Sequence, residues 1–169
     1  MNPHPIALVT GASAGIGENF ARYLAERGHD LVIVARDESR LKERADKWSA
    51  SYGINVEILP ADLATISGME RVENRLKDRN RPIEVLINNA GFGINKSFSS
   101  SELNEENNLL EVLVRAPMRA MHAVLPLMKE RNSGTIINVS SVAGWIAGGS
   151  YSAAKSYLTV LTESLHTEL

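Results

Sequence analysis

The chain contains no cysteine. Disulfides, thiolate nucleophiles and cysteine-ligated metals are therefore excluded, and the composition fits a reducing compartment. Aromatic residues make up only 5% of the 169 residues, and no apolar run approaches the roughly 20 residues of a membrane span. Neither sign of charge dominates: 18 Lys and Arg stand against 20 Asp and Glu, a formal net charge of −2. That balance gives no electrostatic reason to expect nucleic acid or an anionic membrane as partner. The start, Met1-Asn2-Pro3-His4-Pro5, lacks the charged region and long apolar run of a signal peptide, so the expected location is the cytoplasm. His4, His29, His122 and His166 are scattered without ligand-like spacing, and no metal is expected.

What is present suits a soluble globular chain: 44% hydrophobic and 22% charged residues, enough for one domain with a real core. Short apolar runs alternate with longer amphipathic stretches, the pattern of an α/β fold with a parallel sheet. Strands are expected at Ile6–Val9, Leu31–Val34, Val56–Leu59, Val85–Ile87 and Thr135–Val139. Helices are expected over Gly17–Arg27, Glu38–Tyr52, Ser67–Arg79, one long stretch Leu103–Arg131 bent at Pro117 or Pro126, and Ser150–Leu169. Gly28 and Gly53 suit helix C-termini, and Ser133-Gly134 ends the long helix. Right-handed crossovers then stack helices on both faces of one sheet.

Thr10-Gly11-Ala12-Ser13-Ala14-Gly15-Ile16-Gly17 falls between the first strand and the first helix. Glycines there permit a tight turn and a close approach of backbone N–H groups to a pyrophosphate at the helix N-terminus. The spacing is G-x-x-x-G-x-G, and a plain Gly-rich turn is the alternative. At the end of the second strand, where an NAD-binding fold carries an acidic residue for the ribose 2′-hydroxyl, the sequence reads Ala35-Arg36-Asp37. Arg36 favours a 2′-phosphate, and so NADP(H), while Asp37 beside it keeps NAD(H) open. Asp62 either bonds the adenine or caps the helix beginning near Ser67.

Tyr151 and Lys155 open the last helix four residues apart, on one face. An ammonium near a phenol favours the phenolate, which suits the pair to exchange a proton with an alcohol or carbonyl. The pair follows a strand ending Asn138-Val139-Ser140-Ser141, and Asn88-Asn89-Ala90-Gly91 follows the fourth strand. In an open parallel sheet ligands bind beyond the carboxyl ends of the strands, so these motifs converge on one rim.

Together these residues resemble the classical short-chain dehydrogenase/reductase family: T-G-x-x-x-G-x-G at Thr10–Gly17, N-N-A-G at Asn88–Gly91, the serine-bearing strand at Ile137–Ser141 and Y-x-x-x-K at Tyr151–Lys155. The resemblance implies a Rossmann-like doubly wound sheet, strand order 3-2-1-4-5, in a single dinucleotide-binding domain over residues 1–169. It also implies hydride transfer between NADP(H) and a carbonyl or secondary alcohol. Tyr151 would be the catalytic acid/base, Lys155 would tune it and bind the nicotinamide ribose, and Ser141, rather than Ser140, would bond the substrate oxygen. Gly11, Ser13, Ala14, Gly15, Ile16 and Gly17 would hold the cofactor with Arg36, Asp62, Leu63, Asn89, Ala90 and Gly91. A homo-oligomer built through the long helix and the last helix would follow by the same analogy.

Three departures stand out. Alignment through Leu125-Pro126-Leu127-Met128 puts Leu113 where the family usually carries an asparagine, and Asn107 and Asn108 lie about one and a half turns away. The stretch from Ser141 to Tyr151 is a few residues shorter than usual. The chain also stops before the family's sixth and seventh strands, so it is expected to be incomplete at its C-terminus, with the fifth strand left as an apolar edge. A non-catalytic nucleotide-binding remnant is therefore the alternative function. Met118, Met121 and Met128 at helical spacing read as packing, and Trp145 either lines an apolar substrate pocket or packs its own loop.

Overall fold

The computed structural model describes residues 4–168. Met1, Asn2 and Pro3 of the opening segment, and Leu169, where the sequence reading ends the last helix, lie outside the described residues. Five strands, β1 (Ile6–Thr10), β2 (Asp30–Ala35), β3 (Val56–Pro60), β4 (Ile83–Asn88) and β5 (Thr135–Asn138), form one parallel sheet in the order β3-β2-β1-β4-β5. The helices are α1 (Gly15–Glu26), α2 (Glu38–Tyr52), α3 (Ile66–Leu76), α4 (Leu103–Leu110), α5 (Ala116–Arg131) and α6 (Gly149–Glu168). This is the Rossmann-like arrangement expected.

The apolar runs of β1, β2 and β4 have no polar alternation because both sheet faces are covered. Successive side chains point to opposite faces. Leu8, Val32, Val34 and Leu86 meet α3, α5 and Leu158 of α6 on one side. Ala7, Val9, Leu31, Ile33 and Ile87 meet α1 and α2, with Trp48 fully buried, on the other.

The helix boundaries differ from expectation where tertiary or capping chemistry intervenes. The long helix is not continuous. Between α4 and α5 the backbone widens into a π-helical stretch, Glu111–Arg115, in which the Ala116 N–H reaches back to the Glu111 carbonyl. Pro117 explains the place: it has no N–H to return to the Leu113 carbonyl, and its ring crowds that carbonyl. Pro126 does not break α5. It sits on the exposed face of the helix, where a carbonyl deprived of its helical donor is open to solvation. The helix ends at Arg131 because Asn132 takes a left-handed conformation, φ 50°, ahead of Ser133-Gly134. In α3 the first-turn cap is Thr65, whose Oγ1 accepts from the Gly68 N–H at 3.1 Å. Asp62 is thus not the cap of that helix.

Candidate functional site

The site is built where strands deliver side chains to one edge of the sheet. The Thr10 hydroxyl, at the end of β1, donates to the Ile87 carbonyl at 3.3 Å and accepts the N–H groups of Asn89 and Ala90 at 3.0 and 3.1 Å. The Asn89 amide returns to the Thr10 carbonyl at 3.0 Å. The glycine loop and the Asn88–Gly91 segment are thereby locked together. Glycine is required at two places in this lock. A Cβ on Gly11, which has φ 68°, would lie 2.9 Å from the Ala90 Cα. A Cβ on Gly17 would collide with the Gly11 carbonyl and the Asn89 amide.

Beyond the strand ends runs a cleft of about 1630 Å³. Gly11, Ser13, Ala14 and Ile16 line it from the glycine loop, and Arg36, Asp62 and Leu63 line it from the ends of β2 and β3. Asn89, Ala90 and Gly91, then Ser141, Tyr151 and Lys155, continue the wall. Of the residues expected to hold the cofactor or act on the substrate oxygen, Gly15 and Gly17 alone stand off the wall. Gly17 is buried in the loop contact just described, and Gly15 opens α1 with φ 61° and free space where a Cβ would stand. Ala14, the N-cap, supplies no side-chain bond to the first turn of α1, so amides there remain available to an anion.

At the β2 end, Asp37 and Arg36 take different parts. The Asp37 carboxylate caps α2, accepting from the Arg40 N–H at 3.1 Å and the Ser39 hydroxyl at 2.7 Å. The Ser39 hydroxyl foremost, then the Arg40 backbone, holds its carboxyl below the usual carboxylate range. Arg36 is exposed and has no carboxylate partner among the described residues. Arg40 also lines the cleft, a residue the sequence reading did not single out; its place in the first turn of a helix opened by the Asp37 cap was the available signal.

At the β5 end, the two serines separate. Ser140 Oγ pairs with the Lys155 carbonyl at 3.0 Å and with Thr159 Oγ1 at 2.7 Å, fastening the strand end to α6. Ser141 Oγ accepts from the Ala143 N–H at 3.1 Å, capping the short 3-10 turn Val142–Trp145. Ser141 also lines the cleft, and its hydroxyl donates to no group among the described residues. Lys155 is buried, its Nζ 5.8 Å from the centre of the Tyr151 ring, and it donates to the Val139 carbonyl at 2.6 Å. Loss of water around that ammonium lowers its pKa below the ordinary lysine value. Deeper in the sheet, Asn88 Nδ2 donates to Asn138 Oδ1 and Asn138 Nδ2 to Thr162 Oγ1, each at 2.9 Å, so β4, β5 and α6 are held in one register.

Leu113 lies in the π-helical stretch, 1% exposed, against Leu109, Ala154 and Tyr151. It covers Gly91, where a Cβ would lie 2.7 Å from its Cδ2. Asn108 reaches the cleft rim and Asn107 does not. Trp145 is 76% exposed and lies outside the cleft wall. Among the described residues no helix is long and apolar enough to cross a membrane.

A family profile described as short chain dehydrogenase matches residues 5–169. A ketoacyl reductase, HetN, of a Nostoc species is 37% identical over 96% of this chain, which spans 57% of that protein's length. Among solved structures, a short-chain dehydrogenase from Sphingobium yanoikuyae in complex with NADPH is similar at 38% identity and TM-score 0.95, over 98% of this chain and 65% of the other. A bulky-bulky ketone specific alcohol dehydrogenase from Comamonas testosteroni is similar at 34% identity and TM-score 0.95, over 98% and 67%.

Proposed function

Since the chain belongs to the short chain dehydrogenase family, we propose that it carries the cofactor-holding and proton-transferring part of an oxidoreductase acting between NADP(H) and a carbonyl or secondary alcohol. The observation that carries this reading is the convergence, on one cleft, of an uncapped helix N-terminus, a free arginine and the Tyr151–Lys155 pair. The α1 amides suit a pyrophosphate, and Arg36 suits a 2′-phosphate. Asp37 is committed to its helix cap, which supports NADP(H) over NAD(H). When bound, the nicotinamide supplies the hydride chemistry.

The protein's own part is proton transfer and orientation. Tyr151 gives its phenolic proton to the oxygen of a carbonyl under reduction, or takes one from an alcohol under oxidation. The Lys155 ammonium, on the same helix face, stabilises the phenolate left behind. Ser141 donates its free hydroxyl hydrogen to the same substrate oxygen, polarising the carbonyl. A second reading, a nucleotide-binding chain without turnover, draws on Leu113, whose apolar side chain can pass no proton.

One pair of measurements separates the readings. Fluorescence titration with NADPH and NADH is expected to saturate with NADPH the tighter. Tyr151→Phe is then expected to abolish turnover of ketones while leaving NADPH binding intact. Turnover unchanged in that variant would sink the catalytic assignment, and saturable binding with no turnover in the parent chain would favour the second reading.

A further inference from the structure

Charged side chains are unevenly placed along the cleft. Arg36, Asp37, Arg40 and Asp62 gather at the ends of β2 and β3. Lys155 is buried and donates to the Val139 carbonyl. The other charged groups of the wall are Lys96 and Glu105. Lys96 Nζ donates to Glu105 Oε1 at 2.9 Å and to Oε2 at 2.8 Å, so each cancels the other.

This pair stands at the Tyr151 end. Glu105, Asn108 and Val112 recur at three- and seven-residue spacing along α4 and into the π-helical stretch, and all three line the cleft. Leu109 and Leu113, on the adjoining face, pack with Tyr151. Lys96 comes from the segment after β4, just past Ile94, which packs on the same cluster as Tyr151. The neighbouring wall, Phe92, Ile94, Asn95 and Asn108, carries no charge. Glu105 is fixed from a second side: it lies in the first turn of α4, and its Oε2 also accepts from the Glu102 N–H at 3.1 Å. Lys96 foremost, then the Glu102 backbone, holds its carboxyl below the usual carboxylate range. Glu106 beside it is buried and off the wall, with Oε1 taking the Ser101 hydroxyl at 2.6 Å.

Both partners of the pair are nearly half exposed, and such ion pairs add little to stability. The pair instead removes a free ammonium from the wall near the phenol. A free ammonium there would attract a substrate carboxylate; a cancelled one leaves such a carboxylate to lose water without a partner.

We propose that the Lys96–Glu105 pair sets the charge class of the substrate: with Lys96 cancelled, the cleft beside Tyr151 takes an uncharged carbonyl compound or alcohol with apolar substituents, and Glu105 is the specificity-determining residue that disfavours carboxylate-bearing analogues. The inference rests on the reading of Tyr151 as the acid/base. Its test compares acetophenone with 4-acetylbenzoate, which present the same ketone and differ by one carboxylate, in the parent chain, E105Q and K96M with NADPH. The readout is kcat/KM for 4-acetylbenzoate divided by kcat/KM for acetophenone. The parent is expected to favour acetophenone by about tenfold or more, the scale of one uncompensated charge. E105Q keeps an oxygen for the Glu102 N–H but uncovers the Lys96 charge. Its ratio is expected to rise about tenfold through the KM for 4-acetylbenzoate, and to fall back in about 0.5 M NaCl as the ammonium is screened. K96M uncovers the Glu105 charge instead, and its ratio is expected to drop below the parent's. A pair that only ties the loop to α4 would move the ratio alike in both variants or leave it unmoved, and either result overturns the proposal, as does a parent that prefers 4-acetylbenzoate. If the parent reduces neither ketone, the acid/base reading has failed on its own account. Charge selection is then read from ligand-observed NMR of the two ketones with each protein and NADPH. Binding of 4-acetylbenzoate is expected to be tighter in E105Q than in the parent and weaker in K96M; equal dissociation constants in all three, or no binding of either ketone, overturn it.

Discussion

The Lys155 ammonium donates to the Val139 carbonyl at 2.6 Å, tying the helix that carries Tyr151 to the strand end that precedes Ser141. One side chain therefore joins the Tyr151–Lys155 pair to the sheet, and it does so from a buried position.

Burial sets a pH dependence. The Lys155 pKa is lowered by desolvation, so between that lowered value and the ordinary lysine range the unfolded chain binds more protons than the folded one. Stability from this group rises with pH across that window and is lost as pH falls through the folded-state pKa. Lys155→Met lacks the rise. Urea unfolding of both proteins from neutral pH to about pH 10 is expected to show the difference moving in favour of the parent as pH climbs. A constant difference would contradict it.

Arg36 stands free at the β2 end while Asp37 is held by Ser39 and Arg40. Arg36→Ala is expected to weaken NADPH binding by about 10- to 100-fold, the worth of a charged hydrogen bond, and to leave NADH nearly unchanged. Equal losses for both nucleotides would remove Arg36 from any role in discrimination.

The two loop glycines should respond differently to alanine. At Gly17 the new Cβ meets the Gly11 carbonyl and the Asn89 amide, so the lock itself must open. Overpacking of about 1–3 kcal/mol is expected, together with loss of cofactor affinity. At Gly15 there is room, and only the left-handed backbone is penalised, by about 1–2 kcal/mol. Melting temperatures paired with NADPH titration distinguish the two; equal effects on affinity would show that the lock does not shape the cofactor site.

The two sheet edges differ in protection. On β3, Glu57 is paired with Arg75 at 3.0 Å and Pro60 closes the strand, both of which discourage strand addition. On β5, Ile137 is 36% exposed and no residue of Thr135–Asn138 is charged. Ile137→Lys is expected to reduce concentration-dependent light scattering with little change in melting temperature. Scattering that is unaltered would show that the β5 edge drives no self-association.

The sequence by itself determined the alternation of strands and helices, the glycine loop, and the Tyr151–Lys155 pair, because each is written in neighbouring residues. Two-sided burial makes apolar runs in β1, β2 and β4, and four-residue spacing puts Tyr151 and Lys155 on one helix face. The rough α2 bounds read from the sequence agree with the structure, with Gly53, φ 67°, closing the helix as expected, while the Asp37 cap at the other end was not read there. Only the tertiary structure decided the rest. That Asp37 is taken up by the α2 cap while Arg36 stays exposed is seen in the structure. Where the long helix yields depended on Pro117 and on packing around buried Leu113, and Pro126 was spared by its solvent-facing position. The Thr10–Asn89 lock and the Asn88–Asn138 pair join residues dozens of positions apart in sequence. Their hydrogen bonds follow from sheet register and helix packing, which bring distant groups within reach and which no local spacing encodes.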